Sequence, residues 1–297
     1  MAETSSIMAR ANRRGAALMV GSMTAFTVND AFMKALGTEW PLFQSIFVRG
    51  VFAALIMACL AVALGHFRLR LARRDWVMVL TRTACEALAA GLFITAIFNM
   101  PLAEATAILQ TLPLTVTLAG AIFLGEKVGW RRWLAILVGF LGVLLIVQPG
   151  GNSFSVYSLY AIAAVVVITG RDIASREMSS EVPSLMAAFV GALGVMIFGA
   201  LGSTTETWAP LTAMSAFALG GAVLAILSAY YFSVAAMRSG DIGFVAPYRY
   251  SALLVALVIG FLFFGEIPSA MTLCGAALIM ATGLYTLFRE NSIKHAR

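Results

Sequence analysis

Long apolar runs alternate with short polar or basic segments along the whole chain. A helix that crosses a bilayer needs roughly 20 consecutive, mostly apolar residues. By that measure the chain offers ten spans, at about 15–36, 42–64, 76–98, 102–124, 130–148, 154–171, 183–201, 211–236, 242–264 and 268–288. The first, with Asn29, Asp30 and Lys34, and the sixth, which runs into Arg171 and Asp172, are the least apolar. Prolines punctuate the pattern. Pro41, Pro101, Pro183, Pro210 and Pro268 stand at or just before span starts, where a missing N–H costs nothing. Pro149 follows the fifth span, and only Pro113 and Pro247 fall inside spans. Each removes a bond to the carbonyl four residues back, of Leu109 and Gly243, and lipid cannot satisfy the freed oxygen. A packing kink and a hinge or cavity wall both fit this pattern.

The pattern also repeats. The stretch ending Gly120-Ala-Ile-Phe123-Leu-Gly125-Glu126 returns 140 positions later as Gly260-Phe-Leu-Phe263-Phe-Gly265-Glu266. Leu114/Leu254, Gly120/Gly260, Phe123/Phe263, Gly125/Gly265 and Glu126/Glu266 are identical pairs. A half-length period in an apolar chain predicts two structural halves of one membrane protein. The expected division is a polar, basic leader at 1–14, a five-span half at 15–148, a second at 154–288 and a tail at 289–297. No small-residue cleavage site follows the leader, so the first span is expected to be retained.

Composition agrees with lipid as the solvent. Of 297 residues, 61% are hydrophobic and 11% charged, against about 25% charged in ordinary soluble domains. The net charge of +6 does not mark a nucleic-acid binder, because of where it sits. Sixteen of the 20 basic residues fall on one side of the ten-span threading: Arg10, Arg13 and Arg14, then Arg68, Arg70, Arg73 and Arg74, then Lys127, Arg131 and Arg132, then Arg171 and Arg176, Arg238, and Arg289, Lys294 and Arg297. Basic loops stay cytoplasmic, so both termini are expected in the cytoplasm and the protein in an inner (plasma) membrane. Span four then runs inward and span nine outward, so the two halves are threaded upside down relative to each other. Inverted halves are how many secondary transporters build two conformations around one midplane site.

Six ionisable residues remain within or at the edge of spans: Asp30, Lys34, Arg49, Arg82, Glu86 and Arg249. A charge at a helix centre costs about 2.5–3.5 kcal/mol on insertion scales, so these must pair, reach an interface or face water. Asp30 and Lys34 are spaced i,i+4, and so are Arg82 and Glu86. They either lock helices together or line an aqueous cavity, with Asn29 beside the first pair. Arg249 is flanked by Tyr248 and Tyr250, just past Pro247. A guanidinium binds carboxylates through two parallel bonds and stacks on aromatic rings. The candidate substrate-binding set is Asn29, Asp30, Arg49, Arg82, Glu86, Gln110, Tyr248 and Arg249, with hinges at Pro113 and Pro247. Arg49, Arg82 or Arg249 would receive a carboxylate and Asp30 or Glu86 an ammonium; either carboxylate could instead carry a coupling proton. Phe26, Trp40, Tyr230 and Tyr231 read more readily as packing or interface anchors than as cavity walls. Gly139 and Gly142, and Gly191 and Gly194, read as close helix contacts.

Other chemistry is poorly provided for. His66 and His295 lie in a basic loop and in the tail, and no protease or phosphate-loop pattern stands in a span. Cys59, Cys85 and Cys274 lie in apolar runs without CxxC spacing, so no disulfide framework, metal site or cofactor is implied. The partners expected are a small-molecule substrate and the lipid bilayer, with no nucleic acid, as a monomer or homodimer.

The ten spans, the two halves and the run Ala105-Thr-Ala-Ile-Leu-Gln-Thr-Leu-Pro113 continuing to Gly125-Glu126 resemble the drug/metabolite transporter superfamily, EamA type. The likeness covers about residues 15–288 and looks most like the bacterial exporters of aromatic amino acids and methyl viologen. Pro247 departs from it, standing six positions earlier than Pro113 would place it. The resemblance implies an all-α integral membrane protein, ten helices in two inverted five-helix repeats around a central cavity. It implies export of small amphipathic metabolites, amino acids first, by alternating access. A transporter of another solute class (cations, nucleotide-sugars, lipid-linked sugars), an integral-membrane enzyme and a non-transporting membrane protein are the competing readings.

Overall fold

The computed structural model describes residues 2–63, 71–125, 128–150, 154–179, 181–237, 239 and 242–294. Glu126, Lys127, Arg68, Arg70, Arg238, His66, His295 and Arg297 of the sequence reading lie outside them. The described residues form helices joined by short turns. Five rods make the first half: α1 (Ala2–Leu36), α2 (Leu42–Ala63), α3 (Arg73–Asn99), the broken pair α4 (Leu102–Leu109) and α5 (Leu112–Phe123), and α6 (Trp130–Val147). Five more make the second: α7 (Tyr157–Glu177), α8 (Ser184–Ser203), α9 (Ala213–Met237), the broken α10 (Ile242–Val245) and α11 (Ser251–Phe264), and α12 (Ala270–Lys294). A 3₁₀ turn at Ala246–Tyr250 joins α10 to α11.

Three boundaries differ from the sequence reading. The basic leader is the start of α1, helical from Ala2. The tail continues α12 to Lys294. The sixth span does not stop at 171: α7 runs on to Glu177, so Arg171 is a residue of a helix and not of a loop. Gly170 falls in this stretch, but a single glycine costs a helix only about 1 kcal/mol, and Pro183 is the next proline.

Among the described residues, nine segments are long and apolar enough to cross a membrane, α4 with α5 counting as one and the 3₁₀ turn with α11 as another. The polar Asn29, Asp30 and Lys34 keep α1 out of that set. The outside of the bundle is apolar. On α6, Leu134, Leu137, Leu141 and Leu144 form one stripe, each 52–59% exposed, while Gly139 and Gly142 face inward and are buried. So wide a band of exposed leucine is stable only against lipid.

The two halves pack in a reciprocal way. The first rod of one half lies on the third of the other, both ways round: α1 on α9, and α3 on α7. The second rods pair, α2 on α8, and so do the fifth, α6 on α12. The fourth rods follow suit, α5 against α7 and α11 against α1. Each of these pairings joins one half to the other.

Backbone contact sets the pairing of α6 with α12. A Cβ on Gly275 would overlap the Gly142 carbonyl oxygen, and one on Gly142 would come 2.8 Å from the Gly275 oxygen. Neither backbone can yield without parting α6 from α12. Gly275→Ala is expected to destabilise the protein by about 1–3 kcal/mol through overpacking. Gly220, in α9, has nothing within 4 Å of a built Cβ, so Gly220→Ala is expected to be neutral or stabilising by about 0.5–1 kcal/mol. Unfolding midpoints of the two variants in mild detergent check this; equal midpoints would refute the close contact.

Candidate functional site

Both fourth-position rods are broken near their prolines, and the breaks meet. Pro113 sits in the first turn of α5 and leaves Gln110 and Thr111 outside regular helix. Local bonds satisfy part of the frayed end. The Gln110 N–H is shared between Thr106 and Ala107 carbonyls at 3.1 and 3.2 Å, and the Thr111 hydroxyl donates to Ile108 O at 2.6 Å. In the second half Pro247 lies within the 3₁₀ turn. The Gln110 side-chain amide then crosses over and donates to the Arg249 carbonyl at 3.0 Å. One break thus satisfies a backbone group of the other, as irregular backbone at membrane depth requires.

A cavity of about 360 Å³ opens beside this joint. The first break contributes Leu109, Gln110, Pro113 and Thr117, the second Ala246, Arg249 and Tyr250. The wall is completed by Asp172, Ser175 and Arg176 of α7 and by Thr286 and Leu287 of α12. Of the predicted site residues, Gln110, Arg249 and the hinge Pro113 are here. Pro247 lies in the turn that forms the wall. Tyr248 does not line the cavity; its ring packs on Phe244, with centroids 5.8 Å apart. The next tyrosine takes that place: Tyr250, 3% exposed, packs against Gly283 of α12. A 3₁₀ turn advances about three residues per revolution, so flanking positions in Pro-Tyr-Arg-Tyr face different sides.

The other five predicted residues gather elsewhere. Asn29 on α1 bridges its neighbours: its amide donates to Asp30 Oδ1 at 2.9 Å, and its oxygen accepts from Arg49 Nη1 of α2 at 3.5 Å. On α3, Arg82 Nη2 pairs with Glu86 Oε2 at 2.9 Å, as the i,i+4 spacing predicts, and Arg82 Nη1 donates to the Ala187 carbonyl of α8 at 3.0 Å. Gly191 lets α8 lie against this pair, since a Cβ there would come 2.9 Å from Arg82 Nη1. Tyr230 of α9 stands on the helix that packs against α1. Its ring packs edge-on against Phe26 at 5.6 Å, and 39% of it stays accessible.

The expected Asp30–Lys34 pair does not form. Lys34 instead reaches Glu266, 2.9 Å away, where both side chains are 13% exposed. Its ammonium also donates to the carbonyls of Ile97 and Met100 and lies 5.5 Å from the Phe264 ring. The other Glu266 oxygen accepts from the Leu102 N–H at 2.8 Å, at the start of α4. A longer arm near a helix end finds an acceptor-rich pocket and leaves Asp30 to Asn29. Further bonds close the same face. Gln44 and Ala209 exchange two, at 2.8 and 2.9 Å. Trp40, a buried anchor, donates to Pro210 O at 3.2 Å. Glu206 accepts from the N–H groups of Phe43 and Gln44.

Sequence reasoning missed Asp172 and Arg171 by ending α7 too early. Arg171 donates twice to Asp172 Oδ1, from Nε at 3.0 Å and Nη2 at 2.8 Å, and its Nη1 lies 3.9 Å from Glu86 Oε1. It therefore stands between the cavity and the second cluster. The signal available was the absence of a proline between Thr169 and Pro183, Gly170 alone being no sure stop.

Comparison with known proteins gives the family. The model of the EamA-like transporter family matches residues 13–148 and 156–288. The S-adenosylmethionine uptake transporter of Rickettsia conorii is 26% identical over 278 residues, covering 91% of this chain and 90% of the relative. The pseudopaline exporter of Pseudomonas aeruginosa is 27% identical over 277 residues, covering 90% and 94%. The riboflavin transporter of Brucella anthropi is 30% identical over 224 residues, covering 71% and 76%. A solved crystal structure superposes with a TM-score of 0.65 at 19% identity, covering 93% of this chain and 98% of that one, which speaks for the fold alone. None of these three relatives is an amino-acid or methyl viologen exporter, so the subgroup expected from the sequence is not the one these matches favour. This multi-pass chain belongs to the EamA-like transporter family.

Proposed function

We propose that the chain is a secondary transporter of a zwitterionic metabolite larger than a free amino acid, bound in the cavity beside the joined helix breaks. The carrying observation is the Gln110–Arg249 bond, which ties the two breaks together at the wall of a cavity of about 360 Å³ lined by charges of both signs. That volume falls within the range of about 300–1,000 Å³ usual for small-molecule sites, and discontinuous helices are where transporters of this build hold solute. Arg249 takes the anionic group. The amino-acid reading of the sequence gives way to a larger solute because the relatives carry S-adenosylmethionine, riboflavin and pseudopaline. The charged lining favours S-adenosylmethionine over riboflavin, which carries no ionised group.

The two halves are inverted repeats that rock about Pro113 and Pro247. The face closed by Lys34–Glu266 and Gln44–Ala209 is the outer one, and the cavity opens toward the basic, cytoplasmic face. Asp30, outside the cavity wall, is the site for a coupling proton. Relatives work in both directions, so the gradient sets the direction here. Counterflow tests the reading. Liposomes holding the purified protein and an unlabelled metabolite pool are exposed to labelled S-adenosylmethionine, riboflavin, phenylalanine or threonine. S-adenosylmethionine is expected to accumulate above protein-free vesicles and phenylalanine to stay at background. Accumulation of phenylalanine alone would restore the amino-acid reading, and accumulation of none would remove the transport reading.

A further inference from the structure

We infer that Asp172 receives the positively charged group of the solute and that Arg171, displaced from it, closes on Glu86. This rests on the cavity being the transport site. Among the described lining residues Asp172 is the one carboxylate, set beside Arg176 and Arg249. A solute bearing both an anion and a cation has one place in this wall for the cation. Both bonds from Arg171 fall on Oδ1 of Asp172, on the carboxylate that shares the cavity wall with Arg176 and Arg249. The positive charge that enters competes with the guanidinium already there.

Arg171 has somewhere to go. Its Nη1 is 3.9 Å from Glu86 Oε1, an ion pair still beyond hydrogen-bond reach. A small change of rotamer shortens this contact to a charge-assisted bond of about 2.8 Å. Arg82 holds the other oxygen of Glu86 at 2.9 Å and stays in place through Ala187 O. Glu86 belongs to α3 of the first half, while Arg171 and Asp172 belong to α7 of the second. α3 and α7 are one of the main packed pairs between the halves. The exchange therefore converts occupancy of the cavity into a tighter contact across the interface that must rearrange when the halves rock. Asp172 acts as a binding residue and Arg171 as a coupling residue, and the sequence pattern flags neither for these roles.

The experiment is S-adenosylmethionine counterflow with Asp172→Asn, Asp172→Glu and Glu86→Gln proteins in liposomes. Asp172→Asn is expected to raise KM about tenfold or more, the loss of one charge-assisted pair, with Asp172→Glu restoring part of it. Glu86→Gln is expected to leave KM within about twofold and to lower maximal flux. A wild-type KM in folded Asp172→Asn protein would overturn the binding role. If that variant does not fold, a wild-type KM in folded Asp172→Ser protein, which has no carboxylate there, would overturn it instead. Unchanged flux in Glu86→Gln would overturn the coupling role alone. Failure of the wild-type protein to carry S-adenosylmethionine would be a failure of the cavity reading, and this inference would fall with it.

Discussion

Lys34→Met is expected to destabilise the protein by about 3–5 kcal/mol, because it leaves the Glu266 carboxylate charged and buried without its partner. The ammonium is lost from a site where it meets one carboxylate and two backbone carbonyls. At 13% exposure neither side chain has bulk water to fall back on. The remedy follows from the geometry. Glu266→Gln removes the charge and can still accept from the Leu102 N–H. The double variant Lys34→Met with Glu266→Gln is therefore expected to recover most of the loss. A double-mutant cycle on unfolding midpoints in detergent isolates the pair. A single variant within about 0.5 kcal/mol of wild type, the range of ordinary surface changes, would mean that the pair is not holding this face closed. Lys34 ties α1 of the first half to the end of α11 in the second, so the same variant should also open the closed face. A thiol reagent reaching a cysteine placed at Thr212, on that face, would report it.

Arg249→Ala is expected to raise the KM for S-adenosylmethionine about 30-fold or more, the effect of deleting one partner of a desolvated charge pair, about 2–5 kcal/mol. The backbone makes this a clean test. The Arg249 carbonyl, not its side chain, accepts the bond from Gln110, so truncation leaves the joint between the breaks intact. Gln110→Ala does the reverse. It cuts the joint while sparing the guanidinium, and is expected to lower maximal flux with a KM within about threefold of wild type. A solute control separates binding from folding. Decarboxylated S-adenosylmethionine keeps its cations and lacks the anion that Arg249 is proposed to hold, so its KM should not change in Arg249→Ala. Equal losses for both solutes would remove Arg249 from the site and leave it a structural role.

Much of the fold was legible along the chain because a bilayer imposes few solutions. Backbone bonds must close within each span, so length, apolar runs and prolines locate the rods almost by themselves. Pro113 and Pro247 marked the two broken rods without any knowledge of packing. Arg82 and Glu86 paired as their spacing foretold, since both lie on one face of α3. Three particulars were settled only by how the rods rotate and pack against one another. Lys34 chose Glu266 over Asp30, Arg171 proved to be a helix residue reaching two carboxylates, and Tyr250 rather than Tyr248 lined the cavity. Spacing along one helix says which groups can meet. The partner each group takes depends on what a distant rod brings within 3–4 Å, and no local pattern carries that information.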